Sequence, residues 1–169
     1  MTKTTSRTAL AVMLLCSAAA QAATFSLSGS TDNIGPLPSA AFSGLFSYSD
    51  IGLPADGEVS LTAFSLNFAG QSYTLASATA ASTAVFAGGN FVGLSYIDDS
   101  SGDTAMRPQI SFVPGFSALP EAYLSYIGSA GQGGFGSYNV SAVPEPATLA
   151  LWLGGMALLG ALRTRRHLS

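Results

Sequence analysis

The residues best suited to chemistry in this chain are carboxylates. Asp98, Asp99 and Asp103 share the phrase DDSSGD, and Glu58 and Glu121 stand elsewhere in the middle of the chain. Clustered carboxylates serve two chemistries. They hold a hard cation such as Ca²⁺ through carboxylate and carbonyl oxygens, or they divide acid and base roles across a glycosidic bond. DDSSGD departs from the D-x-[DN]-x-[DN]-G spacing of a calcium loop, and a solvated hairpin turn between two strands accounts for it. Asp98, Asp99 and Asp103 therefore stand as a weak Ca²⁺ candidate, and no metal site is assigned. Carboxylates that cleave sugars usually sit among Trp, Arg and His. The middle of this chain has no Trp and only Arg107.

Nucleophilic chemistry needs a base beside the nucleophile. The single cysteine is Cys16, the single histidine is His167 and the single lysine is Lys3. With the two ends set aside, Ser-His-Asp, Ser-Lys and Cys-His arrangements are all excluded, as are Cys/His metal sites and disulfides. The expectation is a protein that is not an enzyme, with no catalytic residue and no cofactor. Charge is segregated as well. Lys3, Arg7, Arg163, Arg165 and Arg166 lie at the ends, whereas all nine acidic residues fall between Asp32 and Glu145. An acidic middle disfavours nucleic acid as a partner.

These residues must be positioned by the segments around them, and the two ends are the most distinctive. MTKTTSRTALAVMLLCSAAAQAATF has the parts of a secretory leader: Lys3 and Arg7, the apolar run from Ala9 to Cys16, and the A-x-A site Ala20-Gln21-Ala22. Cleavage is expected after Ala22, giving a signal peptide over 1–22. Leu15 precedes Cys16 where a lipoprotein signal requires a small residue, so lipidation is not expected. At the other end, 147–162 carries no charge. As a transmembrane helix it spans about 24 Å at ~1.5 Å per residue, short of a ~30 Å hydrocarbon core. Thinning and arginine snorkelling bridge such a gap. Arg163, Arg165 and Arg166 form a basic stop that holds the tail, 163–169, in the cytoplasm. Both ends give one topology, with the middle of the chain exported. Pro144-Glu145-Pro146 stands on the exported side, extended by its prolines.

VPEPATLALWLGGMALLGALRTRRHLS, residues 143–169, resembles the PEP-CTERM protein-sorting domain of Gram-negative bacteria. Three features carry the resemblance: the core Val143, Pro144, Glu145 and Pro146, a short helix with central glycines, and the terminal arginines. It implies recognition by an exosortase, a membrane-embedded cysteine transpeptidase-like enzyme. It also implies cleavage near the motif, transient residence in the inner membrane, and export linked to exopolysaccharide or biofilm matrix. The motif residues are then substrate residues and catalyse nothing.

The exported domain, 23–142, alternates apolar and polar residues with a period of two. Phe25 and Leu27 share a face, as do Phe42, Phe46 and Tyr48; Phe64, Leu66 and Phe68; Val92, Leu94 and Tyr96; Ile110 and Phe112; Leu124 and Tyr126; and Tyr138 and Val140. Phe91 and Ile97 fall opposite Leu94, and Tyr123 and Ile127 opposite Leu124. Val59 and Leu61 run out of step with Phe64 and Leu66, which predicts a bulge or a strand break near Thr62-Ala63. LASATAASTAVFA reads either as helix or as a weak strand. Turn phrases such as AGQ and AGGN separate the runs. Eight or nine short strands predict an all-β, antiparallel β-sandwich or jelly-roll-like body, with neutral edges open to strand addition. The body also resembles, more loosely, the Ser/Thr/Gly-rich exported regions of PEP-CTERM proteins, in FSGLFSY and NFVGLSY.

The expected function is that of a non-enzymatic extracellular or surface protein of the exopolysaccharide matrix, released from a membrane-anchored precursor. Two alternatives stand beside it. One is a permanently anchored single-pass envelope protein. The other is a carbohydrate-binding or, less favoured, glycoside-hydrolysing β-sandwich. Sugar binding calls for exposed aromatics in a row, and Tyr48, Tyr73, Tyr96, Tyr123, Tyr126 and Tyr138 are the candidates.

Overall fold

A computed structural model of the chain describes residues 22–100, 107–128, 131–144 and 154–155. The leader up to residue 21, and the span 147–162 apart from 154 and 155, lie outside the described residues. Among the described residues no helix is long and apolar enough to cross a membrane.

The alternating runs form nine strands: β1 (Ala22–Thr31), β2 (Ala41–Ser49), β3 (Gly57–Phe68), β4 (Gln71–Thr74), β5 (Thr83–Ala87), β6 (Asn90–Asp98), β7 (Gln109–Val113), β8 (Tyr123–Ile127) and β9 (Gly133–Ala142). All pairings are antiparallel. The strand order is β2-β1-β9-β8-β7-β6-β5-β3-β4, and β2 also pairs with β3. That extra pairing closes eight strands into a barrel, with β4 folded back on β3. The all-β expectation holds, but one sheet curls onto itself instead of forming two facing sheets. Closure also removes the open edges expected from sequence, because among the described residues only the four-residue β4 pairs with a single neighbour.

Two tight hairpins follow from local chemistry. Ala69 and Gly70 (φ 51° and 75°) turn β3 into β4, and Gly88 and Gly89 (φ 56° and 77°) turn β5 into β6. Paired positive φ values match the right-handed twist of the flanking strands. The ambiguous LASATAASTAVFA becomes a single 3-10 turn, Leu75–Ser77, and then strand β5, which buries Ala84 and Phe86.

The lumen of an eight-stranded barrel is just wide enough for side chains to fill, and here the filling is aromatic. Phe25 stacks on Phe46 and Tyr48, with ring centroids 5.3 and 5.1 Å away, and Phe91 stacks on Phe46 at 5.8 Å. Phe64 stacks on Tyr96 at 4.2 Å, and Phe112 meets Phe42, Phe64 and Tyr138 edge-on. The rings leave no room for side chains opposite them. A Cβ at Gly134 would lie 2.5–2.7 Å from the Tyr126 ring and hydroxyl, and one at Gly29 would lie 2.5 Å from the Phe42 ring.

Two bulges set which residues reach the lumen. Between β2 and β3, Ser47 pairs with Ala63 but Tyr48 with Leu61, so Thr62 is the extra residue. This is the phase slip between Leu61 and Phe64. Between β5 and β6, Val85 pairs with Gly93 but Phe86 with Phe91, so Val92 is extra. The second bulge corrects simple alternation: Phe91 turns back to the lumen and joins the aromatic stack.

Candidate functional site

The C-terminal sorting candidate begins where the barrel ends. β9 pairs with β1 up to Phe25↔Ala142. Val143 then donates its backbone N–H to the Thr24 carbonyl at 2.9 Å. Pro144 follows and has no N–H, so the ladder stops there for a chemical reason. Val143 and Pro144 are both exposed. Glu145, Pro146 and the basic stop Arg163, Arg165 and Arg166 lie outside the described residues. Residues 154 and 155, inside the expected span, are helical and exposed.

The N-terminal candidate lies at the same rim. Ala20 is outside the described residues, but Ala22 opens β1 and pairs with Ser49, and Ala23 pairs with Tyr48. The strand therefore begins at the last residue of the expected leader.

The acidic phrase is a β6–β7 connection, as the hairpin reading has it, but Asp98 is not solvated. Its side chain is only 1% exposed and pairs with the Arg107 guanidinium. It also accepts hydrogen bonds from the Ser100 hydroxyl (2.6 Å) and the Ser100 N–H (3.3 Å). Arg107 in turn lies 4.5 Å over the Tyr73 ring, whose hydroxyl donates to the Pro108 carbonyl at 2.6 Å. Asp99 is exposed, and its backbone is held by the Thr79 hydroxyl and the Gln109 side chain. Asp103 is outside the described residues. Among the described residues, no three His, Cys, Asp or Glu side chains gather as a metal-holding group. Asp98 is committed to Arg107, which sequence reasoning did not pair with it. The signal available was that Arg107 is the one cation between Arg7 and Arg163.

The remaining carboxylates are tied up separately. Glu58 on β3 accepts from the Thr83 hydroxyl at 2.9 Å. Glu121, at the end of the 3-10 turn Leu119–Glu121, accepts from the N–H groups of Phe116 (2.9 Å) and Ser117 (2.8 Å) and from the Ser117 hydroxyl (2.9 Å). These bonds, those from Ser117 foremost, hold its carboxyl below the usual range.

The tyrosines settle into the core. Tyr48, Tyr73, Tyr96, Tyr126 and Tyr138 are all buried, and only Tyr123 is exposed. Burial pushes the Tyr73 and Tyr138 hydroxyls up to about 12, and raises those of Tyr48 and Tyr96 as well. Three more of the buried hydroxyls have partners: Tyr138 accepts from Leu94 N–H, Tyr126 accepts from Leu37 N–H, and Tyr96 donates to the Thr74 carbonyl. The exposed tyrosine row that sugar binding calls for is therefore not formed. Outside lies the edge-to-face pair Tyr123–Phe135, with centroids 5.6 Å apart, beside an open groove of about 300 Å³.

Residues 142–166 match the family model described as the PEP-CTERM protein-sorting motif. The match starts at the last residue of β9 and runs to Arg166. No curated protein and no solved structure matches the chain. The motif implies export, a membrane-anchored sorting precursor and processing by an exosortase.

Proposed function

We propose that this chain is a non-enzymatic component of the exopolysaccharide matrix. In this reading a leader cut after Ala22 exports it, a helix over 147–162 holds it in the inner membrane, and an exosortase releases the barrel near Pro144-Glu145-Pro146. The observation that carries the reading is the junction at Val143. The last ladder bond is made by Val143, and Pro144, which opens the triplet, has no N–H with which to continue the β-ladder. The Arg163, Arg165 and Arg166 cluster supplies the cytoplasmic stop.

Support for a structural role comes from the barrel itself. Its lumen is filled by aromatic rings, and its Asp98 and Glu58 carboxylates are bound to internal partners. Its outer strand faces are rich in serine and threonine, with pairs such as Ser26–Ser141 at 2.8 Å joining neighbouring strands. Such a surface stays hydrated without much charge, which suits a protein packed among polysaccharide. The test is intact-mass analysis of the protein from cells with and without the exosortase, joined to fractionation of cells and matrix. The expected result is loss of the segment after the triplet and recovery in the matrix only when the enzyme is present. A full-length C-terminus in both strains would leave the permanent anchor. Release into free medium would remove the matrix role.

A further inference from the structure

A patch on the outside of the barrel breaks the serine-rich pattern. Phe135 on β9 is 56% exposed and Tyr123 on the neighbouring β8 is 37% exposed. Single apolar residues on a surface are ordinary, but a packed aromatic pair beside a groove calls for a reason. Phe135 has no way to turn inward. It stands between Gly134 and Gly136, where a Cβ would meet the Tyr126 ring at 2.6 Å and the Phe42 ring at 3.2 Å. The lumen is full there, so alternation along β9 fixes Phe135 outside. Its carbonyl takes the Asp32 N–H at 2.9 Å, which ties the end of β1 to the same spot. The groove of about 300 Å³ beside the pair is at the small end for a ligand site. Tyr123 pairs with Ser137 and Ser137 with Ser30, so a ring and two exposed hydroxyls form a row across three strands. Asp32 and Glu121 line the groove as well. Among the described residues, Asp32 accepts through Oδ1, from the Ile34 and Gly35 N–H groups, which leaves Oδ2 for a ligand. Glu121 Oε1 takes the Ser117 hydroxyl and has a lone pair to spare. No lysine or arginine among the described residues lines the groove.

We propose that this groove binds an uncharged hexose unit of a polysaccharide and turns away chains that carry uronate, sulfate or phosphate. The C–H face of the sugar lies against Phe135 and Tyr123, and its hydroxyls donate to Asp32 and Glu121. Aromatic faces suit the apolar side of a pyranose, and ionised carboxylates are strong acceptors for its hydroxyls. The same carboxylates, with no cation beside them, repel an anion. A row of rings would track a long chain, whereas two rings at 75° to one another make a corner that fits a single unit. The inference deepens the matrix reading above and rests on it for the kind of polymer.

The experiment titrates the full-length protein, in micelles of a detergent without sugar headgroups, with cellohexaose, laminarihexaose, mannohexaose and hexagalacturonate. Isothermal calorimetry reads binding, and near-UV circular dichroism reads the fold. At least one neutral chain is expected to bind, about tenfold or more tighter than hexagalacturonate. Phe135→Ser should weaken that binding about tenfold with the dichroism unchanged. Asp32→Asn keeps the turn acceptor but loses the charge, and should narrow the preference over hexagalacturonate. Leu45→Ser removes an exposed apolar residue on β2, outside the groove, and should leave binding as it was. No binding of any neutral chain, tighter binding of the uronate, or an equal loss with Leu45→Ser would overturn the site. Those outcomes leave the matrix role standing, because intact mass and fractionation read it separately. Release of the protein into free medium, with a neutral chain still bound in the titration, would sink the matrix role and keep the site.

Discussion

The lumen and the outer surface of this barrel treat polar groups in opposite ways. Inside, buried polar groups hold specific partners: Asp98 holds Arg107, the Tyr73 hydroxyl holds Pro108, and the Tyr138 hydroxyl takes the N–H of Leu94. Outside, serine and threonine hydroxyls meet one another across strands, as in Thr24–Ser47 and Ser26–Ser141, where water would serve as well. The difference teaches where the fold is specified. A lost partner inside strands a desolvated group, whereas a lost partner outside is replaced by solvent.

The largest test of that contrast is alkali. Tyr73 and Tyr138 have folded pKa values of about 12 against an ordinary 10.0. Both are raised, so the stability they contribute is complete below pH 10 and drains away as pH climbs from there through 12. For Tyr138 alone the loss is on the order of 2–3 kcal/mol. Near-UV circular dichroism should hold to pH 10 and then collapse together with the rise of phenolate absorbance. Phenolates of Tyr73 and Tyr138 that form near pH 10 with the fold intact would mean a lumen open to water. Next in size is Asp98→Ala, which leaves Arg107 without its counter-charge. Urea denaturation should show a loss of about 3 kcal/mol, toward the lower end for buried pairs because Arg107 is about one-third exposed. Tyr138→Phe deletes one acceptor and leaves the Leu94 N–H unpaired, and the same measurement should give about 1–2 kcal/mol. Ser26→Ala on the outer face should change stability by less than ~0.5 kcal/mol. A larger loss there would erase the distinction between the two faces.

Much of the inward pattern is legible in the sequence. Tyr96 is in step with Leu94, and Tyr138 with Val140, so their burial follows from alternation. The slip between Leu61 and Phe64 marks the Thr62 bulge. Other features are not written locally. Closure depends on β2 meeting β3 and β1 meeting β9, and a period of two carries no record of which strands become neighbours. Phe91 misleads because Phe91 and Val92 are adjacent and both apolar, which conceals the second bulge. Asp98 reads as a solvated turn residue until Arg107 returns beside it through the β6–β7 pairing. The sorting motif is the reverse case. Its residue types identify it without any geometry, and the structure adds that it starts where the ladder ends.

That both flanking segments leave from neighbouring antiparallel strands at one rim has a mechanical consequence. A pull on the chain through Ala22 and Val143 loads the β1–β9 ladder from its open end. The hydrogen bonds then fail one after another, in an unzipping order, instead of sharing the load in shear. A barrel held by both tails would therefore yield to a small force, beginning with the Thr24–Val143 bond. A barrel without the two tails would offer no such lever.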